Sequence, residues 1–163
     1  MLPRCLILER VEAEGSFLAI GLNPGRSSAG EREFYVRLGC SYESVKQYWR
    51  AQAPKIQYYV KARRVIAGLG LTGPILWSDL AKCENSPDAK VPPLQTLRRC
   101  AGRFLFRELQ VAPADWPIVA LGWEAYRALA YLVPKRAVIG VPHPLARGAL
   151  SVRCLKLVVF GRI

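Results

Sequence analysis

Residues 16–30, with the sequence SFLAIGLNPGRSSAG, decide the fold that we predict for this chain. The run Ser16–Gly21 is short, apolar and closed by glycine and proline, a pattern that predicts a buried β-strand. From Glu31 onward the apolar residues recur at helical spacing. A buried strand that turns directly into a helix is the opening unit of an α/β fold.

The rest of the chain repeats this alternation. Further strands are predicted at 73–78, 116–122 and 136–141, with edge strands at 5–11 and 152–160, the latter alternatively a helix. Two or three helices are predicted over 31–69, with breaks near Gly39 and Pro54, and further helices over 94–111 and 124–132. We therefore expect one domain, residues 1–163, built as a three-layer α/β sandwich with a mostly parallel, roughly four-stranded sheet flanked by helices.

The charge balance predicts a polyanionic partner. The chain has 163 residues, with 24 Lys and Arg against 12 Asp and Glu, a net charge of +12. This excess favours DNA, although membranes and acidic proteins also attract cations. No apolar run approaches a membrane span and no signal-peptide core is evident, so we expect a cytoplasmic protein without membrane contact. Five cysteines, an odd number, predict reduced thiols, and we expect a monomer.

Polar residues follow three of the predicted strands. Asn23 comes after the first strand, Asp79 after the second and His143 after the fourth. Because ligands of parallel α/β sheets bind at the carboxyl ends of the strands, these side chains should meet in one crevice. A plainer interpretation is that Asn23 only bonds backbone within its turn, and from the residues alone the two are equally supported. Ser27 or Ser28 would either cap the following helix or hold a phosphate.

The motifs resemble those of the uracil-DNA glycosylase superfamily. Residues 21–30, GLNPGRSSAG, resemble the GINPGLSSAG motif of mismatch-specific uracil/thymine glycosylases, and 141–144, VPHP, resemble the second superfamily motif. Residues 77–83, WSDLAKC, are similar to the TNVVKC segment of the thermophilic bacterial branch, and 118–122, IVALG, to its VIVALG strand. The resemblance covers most of residues 16–148.

The resemblance implies base excision repair by a DNA glycosylase that flips a base out of the helix. Asn23 would hold the attacking water and His143 would stabilise charge on the departing base. The remaining roles implied by the family are base binding by Gly21, Leu22, Phe34 or Tyr35, and Asp79, and DNA binding by Ser27, Ser28, Lys82, Leu145 and Arg147.

The chain departs from the family at several positions. Leu145 replaces the serine that follows His-Pro, and Asp79 occupies the place of the base-recognising Asn. The thermophilic branch binds a four-iron cluster through four cysteines, which here would be Cys5, Cys40, Cys83 and Cys100. The N-terminal CxxC pair of that branch is missing, so we expect neither a cluster nor any other cofactor or metal.

Asp79 leaves the target base and the function class open. An ionised carboxylate only accepts hydrogen bonds, whereas uracil presents a donor at N3 and an acceptor at O4. Uracil is then a weaker substrate than in relatives, and Asp79→Asn raises its release. A protonated Asp79 would instead suit uracil or even cytosine. The alternatives to a glycosylase are a non-catalytic binder of DNA or of a modified base on the same fold, and an enzyme of small nucleosides, against which the high positive charge counts.

Overall fold

The central strand of the sheet is β2 (Phe17–Gly21), and all five of its residues are buried. A computed structural model describes residues 6–83 and 91–146 of the chain. The other strands there are β1 (Ile7–Glu9), β3 (Ile75–Asp79), β4 (Ile118–Leu121) and β5 (Val138–Val141). Continuous apolar burial is typical of parallel strands that are covered on both faces.

The strand order is β1-β3-β2-β4-β5, and the contacts between β3, β2, β4 and β5 are parallel. β1 pairs antiparallel with β3, so the sheet is mixed, and it has five strands within the described ranges. The predicted α/β sandwich with a mostly parallel sheet is confirmed. Its fifth strand lies in the predicted edge segment 5–11. The second such segment, 152–160, lies outside the described residues.

Helices cover both faces of the sheet. Before β3 come α1 (Ala29–Leu38), α2 (Tyr42–Gln52) and α3 (Gln57–Ala67). After β3 come α4 (Leu94–Cys100), α5 (Phe106–Val111) and α6 (Trp123–Leu132). None of these helices combines the length and the apolarity that crossing a bilayer needs. The predicted break at Gly39 is confirmed, because this glycine ends α1 with a φ of 75°, which side chains disfavour.

The predicted helix over 94–111 is wrong in one respect. Residues Ala101–Leu105 form a π-helical segment between α4 and α5. A π turn accommodates an extra residue and changes the direction of the side chains that follow it. Apolar spacing alone does not reveal such a turn, because Ala101 and Leu105 are both buried, as they would be in a continuous helix.

Alternate residues of the strands divide the core into two layers. Phe17 and Ala19 pack in the layer of α1–α3, and Leu18 and Ile20 pack in the layer of α4–α6. In the first layer Arg63 of α3 donates two hydrogen bonds to the Glu9 carboxylate, at 2.7 and 2.6 Å, and lies over the ring of Trp77. Trp77 Nε1 donates to the same carboxylate at 2.7 Å. These contacts fix α3 against β1 and β3.

Candidate functional site

A cavity of about 720 Å³ lies at the carboxyl ends of the parallel strands. Its lining includes the three polar residues that the sequence predicted to converge: Asn23, Asp79 and His143. The chain leaves the central strand β2 for β3 on one side and continues with β4 on the other, which is the switch point where α/β sheets bind ligands. The volume suits a ligand the size of a nucleobase or nucleotide.

Backbone hydrogen bonds hold the loops after β2 and β3 together. Gly21 faces Asp79 in the strand register. Beyond the strands, Leu80 N donates to Gly21 O and Ala81 N donates to Leu22 O, each at 2.9 Å. Asn23 follows directly, and its Nδ2 donates to Pro24 O at 3.0 Å. This bond orients the carboxamide and leaves its oxygen, Oδ1, as the acceptor end.

His143 is placed by a glycine and a tight turn. Gly122, just after β4, has a φ of 107°, and a Cβ there would contact the His143 side chain at 3.5 Å. Leu145 N donates to His143 Nδ1 at 3.2 Å, and Ala146 N donates to His143 O at 2.8 Å. Since Nδ1 accepts, the proton of the neutral imidazole resides on Nε2. His143 therefore offers the cavity an N–H donor.

The neutral form of His143 is favoured because its ring packs 5.4 Å from that of Tyr58. Desolvation of the imidazole lowers its pKa below the ordinary value. Between that lowered pKa and about 6.5 the unfolded chain binds more protons than the folded protein. His143 accordingly destabilises the fold as the pH falls below about 6.5, and this effect is absent at higher pH.

We expect the single histidine resonance of the tag-free protein to titrate in NMR with a midpoint below about 6.5. His143 is the only histidine, so its Cε1–H signal is assigned without further work. In Tyr58→Ala the midpoint should rise, because the ring that excludes water from His143 is lost. A midpoint at or above 6.5 in the native protein would contradict the described packing.

Aromatic side chains from α2 and α3 form one wall of the cavity. They are Tyr48, Trp49, Tyr58 and Tyr59, joined by Trp77 of β3. Desolvation, followed by the charge of Asp79 and by Tyr59, raises the pKa of Tyr58 well above its ordinary value. This wall was not predicted from the sequence. Its only local signal is the density of aromatics in 48–59, which a buried core would also explain.

Charged and capping groups surround the cavity near the first motif. Arg26 and Lys55 are exposed and line it, whereas Glu31 lines it and is buried. Ser28 also lines it and caps α1 by accepting a hydrogen bond from Glu31 N at 3.1 Å. Leu145 is 52% exposed and belongs to the lining. The cap confirms one of the two roles considered for Ser28.

Four residues predicted for the site lie elsewhere. Tyr35 is buried in the core layer of α1–α3 and Phe34 packs against that layer, so neither forms the floor of this cavity. Leu22 packs in the opposite layer. Ser27 is buried and does not line the cavity. The sequence places the two aromatics near the motif, but the direction of α1 turns both rings away.

Lys82, predicted to contact DNA phosphate, forms a largely buried ion pair with Glu108 in the structure. Its side chain is buried, and its Nζ donates to Ser78 Oγ at 2.5 Å and to Glu108 Oε2 at 2.6 Å. Ser78 Oγ donates to the same carboxylate oxygen at 2.6 Å. An ammonium group in such a network is not available to a ligand. The other predicted cationic contact, Arg147, lies outside the described residues.

The cysteines show no common site among the described residues. Cys40 is exposed, Cys83 half-buried and Cys100 buried, and Cys5 lies outside the described ranges. Within 6–83 and 91–146 no three His, Cys, Asp or Glu side chains group as metal ligands. The expectation of a protein without cofactor stays a prediction.

Comparison with protein families and with characterised proteins does not identify a relative of this chain. No protein-family model matches the chain, and no curated protein is detectably similar to it. The cavity and its residues are therefore the evidence for function.

Proposed function

We propose that this protein is a DNA glycosylase that hydrolyses the N-glycosidic bond of a flipped-out uracil or of another deaminated or mismatched base. The observation that carries the proposal is the shared cavity of Asn23, Asp79 and His143, in which His143 is a neutral Nε2–H donor. An acceptor for water and a donor for a departing base are the two groups that this reaction needs.

His143 stabilises the leaving group. As the bond between the base nitrogen and C1′ breaks, its electron pair leaves with the base, and negative charge grows on a base oxygen. A preorganised N–H donor at that oxygen is worth most in the transition state, where the charge has developed. The lowered pKa of His143 keeps it a neutral donor at pH 7, so it stabilises the charge without having to transfer a proton.

Asn23 orients the nucleophile. Its Nδ2 is engaged by Pro24 O, so Oδ1 is the end that accepts a hydrogen bond from water. The water oxygen bonds to C1′ of an already electrophilic sugar, and the proton it loses passes to solvent or to the departed base. A strong general base is unnecessary for such an electrophile, which suits an amide at this position.

The charge and shape of the protein support a DNA substrate. The chain carries a net charge of +12, and Arg26 and Lys55 are exposed at the cavity. Cations at this position neutralise phosphates on either side of a flipped nucleotide and release counterions. The aromatic wall offers flat apolar surface to an extruded base, whose unstacking it partly compensates.

We expect base release from an oligonucleotide that contains uracil, hypoxanthine, xanthine or a G·T mismatch. Alkaline cleavage of the abasic product measures the reaction, and a matched oligonucleotide with normal bases is the control. Affinity for the same oligonucleotide should fall steeply with salt. If no substrate is cleaved while affinity is retained, the protein is a binder and not an enzyme.

Asp79 and Leu145 are the observations that favour this second candidate, a non-catalytic binder of DNA or of a modified base. Both line the cavity, and each replaces a residue that the glycosylases are expected to use there. A binder needs the cavity and the positive charge but not the donor of His143. Loss of affinity in a cavity variant, with no cleavage by the native protein, would decide for it.

A further inference from the structure

Two polar groups from distant parts of the chain meet above Gly21. A Cβ on this glycine would clash with Asp79 Oδ1 and would lie 3.1 Å from the hydroxyl oxygen of Tyr58. Asp79 ends β3 and Tyr58 lies in the first turn of α3, and both line the cavity. The absence of a side chain at Gly21 creates the space that these two groups share.

Tyr58 is held in a fixed position by its neighbours. Its ring packs edge-on against Tyr59 at 5.3 Å and lies 5.4 Å from the His143 ring. Its helix α3 is fixed to β1 and β3 through Arg63 and Glu9. A tyrosine confined on these sides loses little further freedom when its hydroxyl binds a ligand, so the group is preorganised.

The Tyr58 hydroxyl keeps its proton. Desolvation and the nearby charge of Asp79 both raise the pKa of the phenol, so it is neutral throughout the physiological range. A neutral phenol donates one hydrogen bond, whereas an ionised carboxylate only accepts. The pair therefore supplies one acceptor and one donor within the same small space.

We infer that Asp79 and Tyr58 together recognise the lactam edge of a base, with Asp79 accepting from the ring N–H and Tyr58 donating to the adjacent carbonyl oxygen. The inference rests on the proposed function and deepens it, because it names the substrate class: uracil, thymine and hypoxanthine, which all present an N–H beside a C=O. Tyr58 is the specificity-determining residue that supplies the donor missing from Asp79.

The same pair disfavours cytosine and adenine, the two normal bases that lack a lactam edge. Cytosine and adenine present a ring nitrogen lone pair at the position of the lactam N–H, and beside it an amino group in place of the carbonyl. The lone pair would face the Asp79 carboxylate, which can only accept, whereas the Tyr58 hydroxyl could rotate and accept from the amino group. The mismatched contact at Asp79 opposes binding of these two bases, so discrimination arises there from repulsion as well as from attraction.

The first test is Tyr58→Phe, measured as single-turnover release of uracil from an oligonucleotide. The variant leaves the carbonyl oxygen of the bound base without its donor, so we expect a loss of roughly ten- to a hundredfold. Tyr131→Phe is the matched control, because Tyr131 is 80% exposed on α6, and it should behave as the native protein. Thermal unfolding of both variants separates loss of recognition from loss of fold.

The second test asks which atom of the base Tyr58 contacts. In 4-thiouracil the ring N–H is kept, but the carbonyl oxygen becomes sulfur, a weak acceptor. The ratio of the release rate of uracil to that of 4-thiouracil should therefore be larger for the native protein than for Tyr58→Phe. Intrinsic differences between the two leaving groups affect both proteins equally and cancel when the two rate ratios are compared. If Tyr58 had a purely structural role, the native protein and the variant would show the same rate ratio.

The third test is rescue through Asp79. Asn carries both an acceptor and a donor, so Asp79→Asn should raise uracil release by a larger factor in Tyr58→Phe than in the native protein, where Tyr58 already supplies a donor. Equal gains in both backgrounds would overturn the inference, because Asp79 would then lack a donor even beside Tyr58. Uracil release that depends on His143 but is indifferent to Tyr58→Phe would also overturn it, and would leave the glycosylase proposal standing.

Free uracil separates the two failures. If no base is released from any oligonucleotide, the glycosylase proposal fails. Binding of free uracil is then measured through the change in the NMR signal of His143. Binding of uracil but not cytosine, lost in Tyr58→Phe and kept in Tyr131→Phe, then supports the lactam recognition alone. Absence of uracil binding together with absence of release overturns both.

Discussion

Replacing His143 by alanine is expected to slow the single-turnover release of uracil by about 100-fold or more, because loss of one preorganised donor at a developing oxyanion has effects of this size. His143 lies on an exposed turn after β5. Its removal should therefore change neither the thermal unfolding temperature nor the affinity for uracil-containing DNA by much. The rate and the affinity are measured on the same oligonucleotide.

Asn23→Ala should slow uracil release by a similar factor, because the attacking water loses the group that orients it. Gln110→Ala is its matched control, since Gln110 is an exposed amide on α5, and this variant should retain the native rate. His143→Gln restores a side-chain N–H donor and should recover part of the activity. Unchanged cleavage by both alanine variants would exclude the mechanism, whatever the fold.

The largest effect on stability is expected from Lys82→Ala. The substitution leaves the Glu108 carboxylate and Ser78 in a largely buried site without their ammonium partner, at a cost of about 3–5 kcal/mol in the free energy of unfolding. Lys46→Ala is the comparison, because the Lys46–Glu43 pair lies on the surface, and its loss should cost about 0–1 kcal/mol. Urea denaturation measures both.

A double variant distinguishes the buried charge from simple packing. Lys82→Met with Glu108→Leu removes both charges and keeps apolar volume, so it should recover much of the stability lost in Lys82→Ala. A cost for Lys82→Ala as small as that of Lys46→Ala would show that the ammonium is solvated in solution.

The strands could be predicted because continuous apolar runs indicate strands that are buried on both faces. Residues 17–20 and 118–121 are apolar without interruption, and both runs are buried on both faces. The convergence of Asn23, Asp79 and His143 followed from one rule, that carboxyl ends of parallel strands share an edge. These predictions needed only the order of elements along the chain.

The contributions of the helices could not be predicted in the same way. Tyr58 reaches Gly21 because α3 crosses the sheet at a position set by the Arg63–Glu9 contacts, which no local pattern encodes. Lys82 precedes a polar loop in the sequence, and its partner Glu108 lies 26 residues further along the chain, so no local pattern indicates the contact. Phe34 and Tyr35 follow the first motif closely, yet the direction of α1 carries both rings into the core layer.

The pairing of β2 has a consequence for how the protein folds during synthesis. Leu18 pairs with Leu76 on one side and with Ile118 on the other, so the central strand is completed by a segment made much later. A nascent chain that has left the ribosome only as far as β3 presents one unpaired, wholly apolar edge of β2. Such non-local pairing slows folding and exposes the intermediate to association with other chains. Slower translation between β3 and β4 would lengthen that exposure, and a chaperone that covers apolar strands would shorten it.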